Sequence, residues 1–186
     1  MPKHTSDVKP NWYGETVPQG TYRSLFKWGS PSEFKRPNHR LINLVKETFH
    51  LSDADFQTRK LEGLEPVGLD VPIHLSKGQL DDLRKIVGEE NLRLDIVSRI
   101  KASYGKGMID ALRLRHHQVE NIPDAVVCPR GKEDVAALVA WCNKERVALY
   151  VWSGGSSVTR GSEAVKGGIT LDMSAHMNRV ISFNEV

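Results

Sequence analysis

The sequence predicts an α+β chain: a mostly helical N-terminal region over residues 1–120, then an α/β unit over residues 121–186. Three observations predict it. Apolar residues recur at helical spacing in the first part, after a start rich in proline and aromatics. A strand, a crossover helix and a second strand follow one another from Ala125 to Val151, and strands joined in that way run parallel. A loop of glycine and serine comes next, and two further strand patterns follow it.

Taken in order, Pro2, Pro10, Pro18, Pro31 and Pro37 with Gly14, Gly20 and Gly29 read as an extended arm. Its Trp12, Tyr13, Tyr22, Phe26 and Trp28 give it apolar surface to pack with. Asn38 is placed to cap a helix running to about Leu51, with Leu41, Leu44, Val45 and Phe49 on its apolar face. Residues 52–74 hold Pro66, Gly68 and Pro72 and read as irregular. Ser76 and Gln79 form a capping box for a helix that Gly88 ends. A short helix is expected around Gly107–Leu114. Ala125–Cys128 reads as a buried strand stopped by Pro129. The helix opened at Gly131 carries Glu133 and Asp134 in its first turn, where acids suit the dipole, and Val135, Leu138, Val139 and Cys142 along one stripe. Val147–Val151, Gly168–Met173 and Asn178–Phe183 supply the remaining strand patterns.

Composition narrows the class. With 186 residues, 39% hydrophobic and 26% charged, the chain is neither collagenous nor low-complexity. It contains no apolar run of about 18 residues that could span a bilayer. Met1–Asp7 lacks the apolar stretch of a secretory leader. Cys128 and Cys142 are too few for a disulfide framework, so reduced thiols and a cytoplasmic location are expected. Of the +3 net charge, the concentrated part is Arg99, Lys101, Lys106, Arg113 and Arg115, followed by His116 and His117. That stretch leaves open an anion-facing surface, a peripheral membrane contact or a solvated helix face. Nucleic-acid binding is not expected, because no recognition motif accompanies the charge. No metal site is expected either, since adjacent histidines diverge and no Cys/His/Asp set has ligand spacing.

Val151-Trp152-Ser153-Gly154-Gly155-Ser156-Ser157-Val158 is the segment suited to chemistry. Successive glycines let backbone N–H groups converge on an anion, and three serines add hydroxyl donors. A Walker loop would need Lys-Ser/Thr after the glycines, and a Rossmann fingerprint would follow the first strand and open a helix. Neither condition holds here, and on spacing alone the segment is also compatible with a plain surface loop. Trp152 is placed either to shield bound phosphates or to pack on the crossover helix. Arg160 is placed to reach a diphosphate or to stand in solvent.

The stretch Ile122–Pro129, then Glu133-Asp134-Val135, then Val151–Val158 resembles the opening of the flavin domain of the vanillyl-alcohol oxidase superfamily, the PCMH-type FAD-binding fold. Phe26-Lys27-Trp28-Gly29, Arg99 with Ser103-Tyr104-Gly105-Lys106, Asp110 with Leu112–Arg115, Asp172-Met173-Ser174 and Met177-Asn178-Arg179-Val180 narrow the likeness. They resemble alkyldihydroxyacetonephosphate synthase and its bacterial relatives. The resemblance implies that FAD is the cofactor, its pyrophosphate held by Val151, Trp152, Ser153, Gly154, Gly155, Ser156, Ser157 and Val158. Ser156 stands where a relative of this loop has a flavin-linking His, which implies non-covalent FAD. The implied reaction exchanges the acyl chain of an acyl-dihydroxyacetone phosphate for a fatty alcohol, on a small-molecule or lipid substrate. A related oxidase or dehydrogenase of a 2-hydroxy acid is the alternative, and a non-catalytic anion-binding module is the reading from another class. The family's catalytic residues lie beyond Val186, so none is assigned. A truncated flavin domain is expected, and a homodimer is left open.

Overall fold

The computed structural model describes residues 17–25, 38–57 and 63–184. The Phe26–Gly29 motif and most of the proline-rich arm lie outside the described residues. The capping signals decide two helices as written. Asn38 accepts the Leu41 N–H and starts α2 (His39–Phe49), after α1 (Tyr22–Leu25). Ser76 and Gln79 form the reciprocal box that starts α4 (Lys77–Val87), and Gly88 caps its end. Three elements have no strong sequence period; the two helices among them come from local capping and the strand from its pairing with Val126 and Val127. They are α3 (Asp53–Gln57), where Asp55 accepts from Ser52, the two-residue strand β1 (Leu92–Arg93), and α5 (Ile96–Lys101), capped by Asp95. Helix α6 spans Met108–Arg115, β2 spans Ala125–Val127, and α7 spans Lys132–Glu145. Strand β3 spans Leu149–Trp152 and β4 spans Ile169–Asp172.

The four strands form one sheet in the order β1-β2-β4-β3. The crossover α7 does join two strands of one direction, but they are not neighbours: β4 inserts between them, parallel to both. Strand β1, from the N-terminal region, extends the sheet antiparallel on β2. Every residue of β4 is buried, as a central parallel strand requires, whereas β3 at the edge is only half-buried. One face carries the main core, Leu83 and Val87 of α4 with Leu138, Trp141 and Cys142 of α7 over Ala125, Val127, Ile169 and Leu171. The other face turns Val126 and Trp152 toward Ala102 at the end of α5. A second core of Tyr22, Leu25, Val67, Ile100, Tyr104 and Leu114 lies behind that face.

Three expectations change. Val139 is exposed, and Trp141 takes its place on the buried stripe of α7. Leu41, Leu44 and Phe49 of α2 are exposed, and Ile42 is the buried residue of that helix. Residues 178–183 form no strand, and Val180, Ile181 and Phe183 are exposed. Their alternation fits a strand, yet an edge partner is needed to satisfy a strand's backbone, and none is present among the described residues.

Arg99 belongs to the basic stretch whose sequence leaves open an anion-facing surface, a membrane contact or a solvated helix face, and the structure gives it none of these roles. It is 3% exposed and gives its guanidinium donors to three carbonyls: Pro123 at 2.8 Å, Val71 at 2.8 Å and Pro72 at 3.1 Å. Burial lowers its pKa from the ordinary arginine value. The planar fork of donors ties α5 to the irregular 71–72 segment and to the start of β2. Removing it strands the buried Pro123 carbonyl, at about 1–3 kcal/mol, while the partly buried Val71 and Pro72 carbonyls lie nearer to water. Arg99→Met should therefore lower the unfolding free energy by roughly 1–3 kcal/mol, checked by urea denaturation against wild type.

Candidate functional site

Strand β3 ends at Trp152, and the chain from Ser153 to Gly168 forms a long connection back to the central strand β4. The loop thus lies at the carboxyl end of the parallel strands, where open α/β sheets place their ligands. Ser153, Gly154, Ser156 and Val158 are exposed, Ser157 is half-buried and Gly155 is buried. Among the described residues, none of the backbone N–H groups from Ser153 to Val158 donates to a protein acceptor. Unpaired amides grouped at a turn are the donor set of an anion nest.

The two loop glycines have different reasons to be glycine. Gly155 has φ +62°, and a Cβ there would come within 2.7 Å of the Trp152 ring. Backbone strain and packing both require it. Gly154 has neither constraint: its φ is ordinary and, among the described residues, nothing lies within 4 Å of an added Cβ. It leaves bare backbone facing a cleft. Glycine without an internal reason is what close approach of a phosphate calls for.

Trp152 packs with Val126 and Ala102, on the face opposite α7, so it does not rest on the crossover helix. Lys101 stands over its ring at 5.5 Å from the centroid. This indole fills the space beneath Gly155 and supports the loop from below.

A second support was not singled out from the sequence as part of the site. Residues Ser103–Gly107 run directly beside the loop. Tyr104 is buried, and its hydroxyl both donates to the Glu120 carbonyl at 2.8 Å and accepts from the Glu120 N–H at 2.6 Å. That anchor brings Gly105 so close that a Cβ would lie 1.7 Å from the Ser157 carbonyl oxygen. The same carbonyl accepts the Lys106 N–H at 3.0 Å. The Lys106 ammonium reaches the Leu25 carbonyl, and burial, with Lys101 nearby, pulls its pKa down to about 8. The signal available in the sequence was the run of small residues on either side of Lys106.

The far end of the loop is closed by charge. The Glu163 carboxylate is buried and takes bonds from Arg160 at 2.7 Å and from Asn121 at 2.8 Å, with Arg113 at 3.6 Å. The Arg160 bond is the largest cause holding the Glu163 pKa below the usual carboxylate value. Arg160 is therefore engaged by protein and not held in reserve for a ligand. His117 stacks on Tyr22 at 4.3 Å and bonds Glu65 at 2.7 Å. His176 reaches Asn91 at 2.7 Å. Burial raises the Cys128 thiol pKa and pushes that of Cys142 up to about 11, so both behave as small apolar side chains. No group of three or more His, Cys, Asp or Glu among the described residues could hold a metal ion.

The free amides, the bare Gly154 and the hydroxyls of the loop fit a diphosphate. Comparison with known proteins gives that fit a context. A family described as an FAD binding domain matches residues 123–186. Alkyldihydroxyacetonephosphate synthase of Trypanosoma brucei brucei is 26% identical over 131 residues, 69% of this chain and 21% of that protein. The mitochondrial D-lactate dehydrogenase [cytochrome] of Arabidopsis thaliana is 41% identical over 185 residues, 96% of this chain and 31% of that protein. A solved alkyldihydroxyacetonephosphate synthase superposes with a TM-score of 0.57 at 30% identity, covering 61% of this chain and 23% of that one. The chain spans less than a third of the length of these relatives.

Two outcomes follow from the geometry. Gly155→Ala should cost about 1–3 kcal/mol of strain and lower the thermal midpoint, while Gly154→Ala leaves that midpoint unchanged; differential scanning calorimetry separates them. The Glu163 carboxylate, with its lowered pKa, stabilises the fold fully above the ordinary Glu value of about 4.3. That contribution is lost as pH falls through the lower folded value. Glu163→Gln should accordingly flatten the pH dependence of thermal stability on the acid side, measured by melts from neutral to acid pH.

Proposed function

The chain belongs to the FAD-linked oxidases of the vanillyl-alcohol oxidase superfamily, a family of flavoenzymes, and we propose that its loop from Val151 to Val158 holds the FAD diphosphate. The observation that carries this is the bare Gly154 beside a run of unpaired loop amides. The backbone N–H groups from Ser153 to Val158 would donate to the phosphate oxygens, with the Ser153, Ser156 and Ser157 hydroxyls beside them. Trp152 and the Ser103–Gly107 segment keep the amides in place before the cofactor arrives, so little ordering is left to be done on binding. The loop has Ser156 and no histidine, so the cofactor is held without a covalent bond to it. In this division of residues 1–120 and 121–186, the second part supplies the phosphate-binding loop and the described residues of the first part the wall behind it.

FAD, when bound, supplies a two-electron centre that can also act without net oxidation. Of the two chemistries this allows, we favour exchange of an acyl for an alkyl chain on a small phosphorylated substrate. The superposition on the solved synthase, at 30% identity, supports that reading. Oxidation of a 2-hydroxy acid is the second reading, and the match to the D-lactate dehydrogenase along nearly the whole chain favours it. Anaerobic addition of D-lactate to the intact flavoprotein distinguishes them: bleaching of the visible flavin band supports oxidation, and an unbleached band with incorporation of labelled fatty alcohol supports exchange. Gly154→Asp, which sets a carboxylate in the phosphate position, should reduce retained flavin by at least tenfold, about 1.4 kcal/mol, in the intact protein purified alongside wild type. Unchanged flavin content would overturn the loop assignment.

A further inference from the structure

The cleft that Gly154 faces is lined by the cations Arg93, Lys101 and Lys106 and belongs to the loop site already described. A separate cavity of about 380 Å³ opens between the start of α6 and the chain beyond the loop. Gly107, Met108, Ile109 and Asp110 line it from one side, and Val158 and Arg160 from the other. Its size lies within the range of small-ligand pockets, about 300–1,000 Å³. The exposed Met108, Ile109 and Val158 side chains give it an aliphatic wall.

Asp110 is the group in this wall that the fold does not account for. Four carboxylates are buried among the described residues, Asp110, Asp124, Glu163 and Asp172. Three of them are served. Asp124 accepts the His74 and Gly168 N–H groups, Glu163 accepts from Arg160 and Asn121, and Asp172 accepts from Ser174. Asp110 is 3% exposed, yet no described residue donates a hydrogen bond to it or forms an ion pair with it. The cations that also line the cavity are engaged elsewhere, Arg160 by Glu163 and the Lys106 ammonium by the Leu25 carbonyl. The first turn of a helix favours a negative charge, but the dipole supplies no donor to the oxygens. A buried carboxylate without donors is unfavourable. Gly107 keeps space beside it: a Cβ there would lie 3.2 Å from Asp110 Oδ2 and 3.9 Å from the Val158 Cα. Gly107 also starts α6 without a side-chain cap, so the first N–H groups of the helix are left for another acceptor.

We propose that this cavity is a nucleoside-binding site, in which Asp110 accepts the hydroxyls of a ribose and Met108, Ile109 and Val158 pack on the base. A vicinal diol brings two O–H donors to one carboxylate, which is what Asp110 lacks. The base is a flat, largely apolar body, and a thioether among aliphatic side chains suits its face. A phosphate does not fit here, because its charge would meet that of the carboxylate. The inference rests on Asp110 and the walls around it and not on the FAD reading. A free nucleoside and the adenosine portion of a dinucleotide share this chemistry.

Isothermal titration with adenosine tests it, on protein freed of any flavin and shown by thermal melt to be folded. The second probe is 2′-deoxyadenosine, and the variant is Asp110→Asn. Saturable adenosine binding is expected. Loss of the 2′-hydroxyl, or Asp110→Asn, should weaken it by about tenfold or more, as for a lost hydrogen bond to a charged group. The comparison of the two nucleosides uses the unaltered chain, so it stays decisive should Asp110→Asn fold poorly. Repeating the titration after saturation with FAD identifies the source. Lost adenosine binding assigns the cavity to the dinucleotide, and retained binding assigns it to a separate nucleoside. Absence of saturable adenosine binding, equal affinity for the two nucleosides, or equal affinity in a folded Asp110→Asn would overturn the proposal. The loop assignment fails by a different observation, flavin retention in Gly154→Asp, so the two can fail separately.

Discussion

The site depends on one close approach of two backbones, that of residue 105 to the carbonyl of Ser157. A Cβ at position 105 would sit 1.7 Å from that oxygen, inside any allowed contact, so only glycine permits it. The approach is held from both sides. Tyr104 is clamped to the backbone of Glu120 by two hydrogen bonds, and the Lys106 N–H bonds the same Ser157 carbonyl. Through this contact the N-terminal helices brace the loop from Ser153 to Val158. A loop with six free amides has little of its own to hold it in shape, and unbraced it would pay the ordering entropy on each binding event.

The same logic separates residues that shape the loop from residues that leave room in it. Gly155 is positive in φ and rests on the Trp152 ring, so the fold itself demands glycine there. Gly154 is demanded by nothing among the described residues. The ring of Trp152 does two things in consequence: it fills the underside of the turn, and its other edge lines the cation cleft beneath Lys101. One side chain therefore couples the loop to the cleft mechanically, and a change in its packing against Val126 and Ala102 would move both.

Much of this fold was legible because local signals decide it. The capping box at Ser76, the Asn38 cap, the apolar run at Ala125–Cys128 and the crossover helix are all short-range, and each forms, the strand ending one residue early at Val127. The loop was legible as well, since glycine and serine in that order restrict what a backbone can do. Long-range choices were not. No local property of Ile169–Asp172 says that it inserts between β2 and β3, and no period in Leu92-Arg93 says that two residues suffice to extend the sheet. The exposed apolar residues of α2 and of residues 180–183 follow the same rule: period reports an apolar face, and only tertiary context says whether it is covered.

Charge was the least legible property, and the basic stretch from Arg99 to Arg115 shows why. The side chains have the same formal charge and quite different duties. Arg99 is consumed by three backbone carbonyls deep in the fold. Arg113 is consumed by Glu120 and by the buried Glu163, which also holds Arg160. Lys101 and Lys106 face the cleft. A guanidinium can spread its charge over several acceptors along its fork, which suits Arg99 and Arg113 to buried structural work. Lys101, Lys106 and Arg93 beside them put positive potential on the side of the loop where Gly154 is bare. The side closed by Glu163 is neutralised by that carboxylate. The field across the loop is therefore directional, and an anion approaching the free amides is drawn to them from the Lys101 side.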